Sequence, residues 1–142
     1  MLHPFFNKGE NKMFELTIND TTYQFNFGMG FLREIDPTIT KPIEGVKGKV
    51  QNLGIQYAVA GIIDGDPDTL SDVLIRANKG FTPRLTQKEI DAHIENADTD
   101  LEALFDDVLG FLKNANVTKK ITMNMLESVE IEKAKAAAKE NA

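Results

Sequence analysis

The sequence predicts one α+β domain, predominantly α-helical, in which an N-terminal β-hairpin packs on a small helical bundle. Two observations predict this class. Apolar residues alternate with polar ones between Phe14 and Phe27, which is the period of half-buried strands. After Gly28 they recur every three or four positions, which is the period of amphipathic helices. A chain of 142 residues is long enough to bury one core.

Composition excludes several classes of site and partner. The chain has no cysteine, which excludes disulfides, thiolate metal sites and cysteine nucleophiles. Its net charge of −6 argues against binding a phosphate backbone, so we expect no nucleic-acid partner. The first residues contain no long apolar stretch and no small-residue cleavage site. We therefore expect a soluble cytoplasmic protein with no membrane partner.

The chain divides into three parts by pattern. Residues 1–12 contain Pro4 and Gly9 and are predicted to form a flexible arm, with docking on a neighbouring subunit as the alternative. Residues 13–126 form the patterned domain. Residues 127–142 have high helix propensity but little apolar content, which predicts a flexible or partner-dependent helical tail. We expect residues 1–12 and 130–142 to be mobile in an isolated monomer, because they bury too little to offset ordering entropy.

The alternating region predicts a β-hairpin over residues 14–27. Its two runs flank Asn19-Asp20, a dipeptide suited to a tight turn. Tyr23, Phe25 and Phe27 share one face, which must pack on helices because a lone hairpin is marginal in water.

The glycines that follow this hairpin do not form a phosphate loop. In Gly28-Met29-Gly30 the third glycine of a dinucleotide fingerprint is replaced by Arg33. We predict a bend into a short helix from Phe31 to Ile35.

The centre of the predicted core is a helical hairpin. Residues 37–48 are predicted to be a loop with two prolines and two glycines, and a first helix then runs from about Val46 or Lys49 to Ile63. This helix is apolar on nearly every side, so we expect it to be buried on most sides. Asp64-Gly65 stops it.

The second helix of the pair begins with Asp66 as its cap and Pro67 in its first turn. Its apolar stripe consists of Leu70, Val73, Leu74 and Ala77. We predict that Ile62, Leu74 and Phe105 are core residues. The spacing of Asp64, Asp66 and Asp68 resembles the start of a calcium loop, but Thr69 and Ile75 occupy the positions that require glycine and glutamate. These aspartates are therefore interpreted as turn and capping residues.

Three more helices are predicted after residue 80. Thr86 and Glu89 form a capping box that opens a helix from Gln87 to Glu95. A second helix starts at Asp98 or Thr99 and carries a wide apolar stripe: Leu101, Leu104, Phe105, Val108, Leu109 and Leu112. A third, short helix runs from Lys119 to Leu126, with Ile121, Met125 and Leu126 inward.

An acidic segment lies across two of these helices. Residues 86–107 contain eight acidic residues and one lysine, a net charge of −7. Runs of like charge usually form a solvated face. The alternative is a docking face for a basic partner.

No chemical site is predicted anywhere in the chain. We identify no catalytic residue, no cofactor-binding residue and no metal-binding residue, and expect no cofactor and no enzymatic activity. The two histidines, His3 and His93, belong to no catalytic or ligand motif. His93 is expected to be a boundary residue of its helix.

The order of the elements resembles the tail assembly chaperones of long-tailed bacteriophages, of the kind found in phages of Gram-positive hosts. The resemblance covers about residues 13–126. It rests on the hairpin aromatics Tyr23 and Phe25, on the Asp66-Pro67 turn and on residues 90–113. These are packing residues, and no binding residue can be transferred individually.

The resemblance implies a protein that binds and solubilises the tape measure protein and helps recruit tail tube subunits during virion morphogenesis. It implies a protein of the host cytoplasm that is absent from the mature virion. Homo-oligomerisation and a longer frameshifted product remain open. A tape measure helix would lie in a groove between the central helical pair and the Leu101 helix. One alternative is a structural tail or connector protein retained in the virion. The other is an acidic mimic of nucleic acid, which the clustering of the acids between residues 86 and 107 disfavours.

Overall fold

The computed structural model describes residues 13–140 and is 61% helical. A single-turn 3-10 helix, Asp36–Thr38, follows the first helix. In chain order the other elements are β1 (Phe14–Ile18), β2 (Thr21–Phe25), α1 (Met29–Ile35), β3 (Thr40–Pro42), β4 (Val50–Asn52), α2 (Gly54–Asp64), α3 (Pro67–Asn78), α4 (Gln87–Glu95), α5 (Leu101–Asn114) and α6 (Lys119–Glu140). The predicted α+β class is confirmed. The proposed arm, residues 1–12, lies outside the described residues.

The N-terminal hairpin forms as predicted. β1 and β2 pair antiparallel, with Phe14 opposite Phe25 and Ile18 opposite Thr21. Asn19 and Asp20 connect them with φ of 51° and 67°. Two successive positive φ angles are the geometry of a type I′ turn, which follows the twist of the strands.

The aromatic face of this hairpin joins it to the helices. Phe25 is fully buried. The ring of Phe14 lies 5.4 Å from that of Phe25 and 5.0 Å from that of Phe111 on α5. Phe27 meets Phe31 of α1 edge-on at 5.2 Å. Tilted and edge-on contacts at these distances are favourable for aromatic rings. The hairpin therefore packs on α1 and α5.

Residues 37–48 are not simply a loop, and this prediction was wrong. After the 3-10 turn the chain forms a second antiparallel hairpin, β3–β4, with Thr40 opposite Asn52 and Pro42 opposite Val50. Gly45 and Gly48 adopt positive φ in its connection. Three-residue strands interrupted by proline show too little alternation to be distinguished from a loop in the sequence.

The start of the central helix was also predicted wrongly. α2 begins at Gly54, because Val50 to Asn52 pair with β3 and the Leu53 N–H donates to the Ile39 carbonyl at 2.7 Å. α2 is also less enclosed than expected. Val59 and Ile62 are buried, but Gln56 is exposed and Tyr57 is 58% exposed.

The turn between α2 and α3 matches the prediction. Gly65 has φ of 76°, and its N–H bonds back to carbonyls of α2. The Asp66 carboxylate accepts from the Asp68 N–H at 3.2 Å and from the Thr69 hydroxyl at 2.8 Å. Asp66 is therefore a capping residue, as the sequence predicted.

The core is centred on α3, whose predicted stripe faces inward. Leu70, Val73 and Leu74 are fully buried, and Ile62 of α2 is nearly so. The prediction that Phe105 is a core residue was wrong, because Phe105 is only half-buried and packs at the edge of the core. Buried residues of α5 are Leu104, Val108 and Leu112, which form a row at intervals of four that Phe105 flanks.

A buried asparagine holds the hairpin and the α3–α4 connection together. The Asn78 side-chain amide donates to the Gln24 carbonyl at 3.0 Å and to the Pro83 carbonyl at 3.3 Å. Its oxygen accepts from the Leu85 N–H at 2.7 Å. A buried polar side chain is tolerated when its hydrogen bonds are satisfied. The local sequence pattern does not distinguish Asn78, because Gln24, Pro83 and Leu85 lie on other segments of the chain.

The capping box of α4 is present, and that helix has the predicted bounds Gln87–Glu95. α5 begins slightly later than predicted. Its cap is Asp100, whose carboxylate accepts from the Ala103 N–H at 3.0 Å. Asp98 lies in the preceding turn, where its N–H donates to Asn96 Oδ1.

The C-terminal region forms one helix instead of a short helix and a separate tail. α6 continues without a break from Lys119 to Glu140. Thr122 is its one buried residue, and its hydroxyl bonds back to the Thr118 carbonyl at 2.8 Å. The predicted inward residues Ile121, Met125 and Leu126 are half-buried. Residues 130–140 are all exposed, so the mobility of this end stays a prediction.

Candidate protein-binding site

The described residues form two concave surfaces of interest. The larger is a cleft of about 900 Å³ between the end of β1, α4 and the start of α5. Its apolar lining consists of Leu16, Ile18, Ala92, Ala103 and Leu104, and its charged lining consists of Lys88, Glu89, Asp98, Asp100 and Asp107. We call this surface the acidic cleft, because its four carboxylates outnumber its one lysine.

One wall of the acidic cleft is fixed by a long-range hydrogen bond. The Tyr23 hydroxyl on β2 donates to Glu89 Oε2 on α4 at 3.0 Å. Burial and the neighbouring carboxylate of Glu89 raise the pKa of Tyr23. The pKa of Glu89 is lowered, chiefly by the hydrogen bond from the Thr86 N–H and then by the hydroxyls of Thr86 and Tyr23. Glu89 thus serves both as a capping residue and as the anchor of the hairpin.

His93 also lines the acidic cleft, half-buried on α4 as predicted for a boundary residue. Burial lowers its pKa, so the folded state favours the neutral ring. Its contribution to stability is therefore present above the unfolded histidine pKa of about 6.5 and lost as pH falls through that value toward the folded one.

We expect the free energy of unfolding to decrease between about pH 7 and pH 5, and expect His93→Gln to reduce that decrease. The measurement is the urea midpoint of both proteins across this range. Below about pH 4.3 both should lose further stability, because the pKa values of Glu89 and Glu34 are also lowered in the fold. Parallel curves down to pH 5 would contradict the role assigned to His93.

The acidic segment predicted over residues 86–107 is mostly solvated. Glu95, Asp98, Asp100, Glu102, Asp106 and Asp107 are exposed. Asp91 is held inward, where its carboxylate accepts from the Ser71 hydroxyl at 2.8 Å and from the Gln87 amide at 2.9 Å. The structure places part of this segment around a concave surface, which a periodicity argument could not reveal.

The second surface is an apolar groove of about 440 Å³ between α1, α2 and α6. Its lining consists of Leu32, Ile55, Gln56, Val117, Lys120, Ile121, Asn124, Met125 and Ser128. Ser128 follows Asn124 by four positions and Ile131 follows Ser128 by three, so all three lie on one side of α6. Ile131 is 50% exposed. We call this surface the α2–α6 groove.

Neither of the two open surfaces described here lies between the central helical pair and the Leu101 helix, where a groove was predicted. α2 packs directly on α5, with Val59 and Val108 both fully buried. The apolar groove lies instead on the α6 side of α2. The prediction failed because the apolar residues of α5 are used to close the core.

The part of the chain that the structure describes holds no group of three or more acidic or histidine side chains placed to bind a metal ion. Across residues 13–140, no helix combines the length and the apolar character that a bilayer span requires.

The described residues thus form a small α+β domain with two open concave surfaces. A family model described as phage tail assembly chaperone protein matches residues 15–127. The chain belongs to this family. No significant match was found among curated proteins or among solved structures.

Proposed function

We propose that this protein acts in tail assembly by binding the tape measure protein, keeping it soluble and helping to recruit tail tube subunits around it. It would act by binding alone, in the host cytoplasm, and would be absent from the finished virion. The proposal is supported by the family match over residues 15–127 and carried by the α2–α6 groove, which lies almost wholly within that range.

The chemistry of the α2–α6 groove suits an amphipathic helix. Ile55, Ile121 and Met125 supply apolar surface, and Gln56, Lys120 and Asn124 are polar and exposed at its margins. A helix with an apolar stripe is recognised by this combination of apolar surface and polar rim. Methionine adapts its shape to different apolar partners, which suits repeated contacts along a long helical chain.

Weak individual contacts would be sufficient for this role. Many copies on one tape measure chain would each shield a short apolar stretch, and copies bound along the same chain would add avidity. Each bound copy of this protein could then be displaced from the tape measure protein as tube subunits assemble. The net charge of −6 would keep the protein soluble at high copy number.

The first test is co-expression with the tape measure protein, followed by sedimentation and pull-down. We expect Asn124→Arg to weaken capture about tenfold, since this needs only about 1.4 kcal/mol of lost contact. Asn124 lines the groove and is exposed, so the bulky cation obstructs the groove without disturbing the core. Asn114→Arg is the matched control, because it makes the same change at an exposed position on α5 outside the groove.

Equal capture by the two variants would place the binding site elsewhere. Failure of the unmodified protein to solubilise or co-purify the tape measure protein would contradict the proposal itself. The second candidate, a structural tail or connector protein, then predicts that the chain is found in purified virions.

A further inference from the structure

The β3–β4 hairpin exposes more apolar surface than we expect of a hairpin that has no binding partner. Every residue from Pro37 to Asn52 is exposed. Four of the eight large apolar residues that are exposed in the described chain lie here, namely Ile39, Ile43, Val46 and Val50. A two-stranded hairpin is at best marginally stable in water when it stands alone, and exposed apolar clusters commonly mark contact sites.

Both faces of this hairpin carry apolar side chains. Residues opposite each other in an antiparallel pair share a face. Val50 lies opposite Pro42 on one face. The Ile43 N–H bonds to the Lys49 carbonyl, which places Ile43 beside Lys49 one register step further along, on the other face. A partner that only flanks the hairpin would leave one face exposed, whereas a cleft could enclose its tip.

The charge of the hairpin is opposite to that of the rest of the chain. Residues 39–50 contain Lys41, Lys47 and Lys49 against one acid, Glu44, a net charge of +2 in a chain of net charge −6. The acidic cleft has four carboxylates and one lysine above an apolar lining. The two surfaces are complementary both in charge and in apolar character.

We propose that the β3–β4 hairpin of one copy of this chain docks in the acidic cleft of a second copy. Gly45 and Gly48 have no side chains in the connection at the tip, where Val46 is 46% exposed. The cleft, at about 900 Å³, is in the range of cavities that enclose ligands of several side chains. Val46 and Ile43 would contact Leu16 and Ala103, and the lysines would face Asp98 and Asp107.

This contact joins two different surfaces of the chain, since no residue of the β3–β4 hairpin lines the acidic cleft. Head-to-tail contacts of this kind close into rings or extend into filaments. Self-association is therefore expected to proceed beyond a dimer. It does not depend on binding of the tape measure protein and can be tested on the isolated chain.

The experiment is sedimentation velocity of the full chain over a range of concentrations, at low and at high salt. We expect the average size to rise with concentration and to fall with added salt, because rim charges are screened. Two double variants should each weaken association about tenfold or more. The hairpin variant carries Lys47→Glu and Lys49→Glu, and the cleft variant carries Asp98→Lys and Asp107→Lys. All four side chains are exposed, and circular dichroism would verify that both variants fold.

The control for the cleft variant carries Asp98→Lys and Asp106→Lys. Its second substitution therefore lies at Asp106, and Asp107 is left unchanged. Asp106 is the exposed neighbour of Asp107 on α5 but does not line the cleft. This control should retain more association than the cleft variant. Lys133→Glu with Lys139→Glu on exposed positions of α6 is the control for the hairpin.

Mixing gives the sharpest test of the head-to-tail arrangement. Each cleft variant retains its hairpin and each hairpin variant retains its cleft, and the two reversed surfaces are again opposite in charge. An equal mixture should therefore associate beyond a dimer, whereas each variant alone should associate weakly. A chain that carries both reversals should regain association. A monomer at every concentration, or oligomers that ignore these variants, would overturn the proposal. It would also be overturned if the hairpin variant lost capture of the tape measure protein while its oligomers remained intact.

Discussion

Replacing Gly54 with alanine should destabilise the domain by at least about 3 kcal/mol, more than most overpacking substitutions. A Cβ built at this position would overlap the Ile35 carbonyl oxygen and would lie 2.7 Å from that of Asp36. Both contacts are with backbone, so no side-chain rotation relieves them. α2 would have to move away from the end of α1, which opens the core. The measurement is the urea midpoint of the variant against the unmodified protein.

Gly110→Ala is the matched control for this substitution. Gly110 lies within α5, and a Cβ built there meets nothing within 4 Å. Alanine in the middle of a helix is favoured over glycine by about 0.5–1 kcal/mol, so this variant should gain stability. If both variants behaved alike, the close approach of α2 to Ile35 would not be what requires glycine at position 54.

Leu74→Ala should lower the free energy of unfolding by about 2–5 kcal/mol. Leu74 is fully buried in the middle of α3, where it lies among the residues of the core. Truncation removes three carbons and leaves a cavity that the neighbouring helices cannot fill without moving. Chemical denaturation monitored by circular dichroism would measure the loss.

Leu126→Ala provides the comparison for that prediction. Leu126 is half-buried on α6, so the same truncation leaves a site open to solvent and should cost less than Leu74→Ala. A loss below about half a kcal/mol at Leu74, within the usual range of surface substitutions, would mean that the α3 stripe is not the centre of the core.

Local features were the most predictable part of this fold. The caps at Asp66 and Thr86 and the Asn19-Asp20 turn were all identified from sequence. Each involves a side chain and a backbone group only two or three residues apart, or backbone angles that its own residues favour. The family resemblance was likewise available from the order of such elements, and the match over residues 15–127 confirms it.

Boundaries and short elements were less predictable. The apolar content before Gly54 suggested an earlier start of α2, but pairing of Val50 with Pro42 placed those residues in a strand. α6 was expected to be short, because its second half has few apolar residues, yet its residues favour helix on propensity alone. The start of α2 was thus decided by pairing with another segment, whereas the length of α6 follows from the helix propensity of exposed residues.

The sequence by itself determined the class of this protein: an acidic α+β domain with an N-terminal hairpin, defined caps and an α3 stripe. Only the tertiary structure decided where its surfaces lie. The Tyr23–Glu89 bond that fixes the acidic cleft joins residues 66 positions apart, and the α2–α6 groove combines Leu32 with Met125. Periodicity reports which face of an element is apolar, but the space left between elements depends on how side chains distant in sequence pack together.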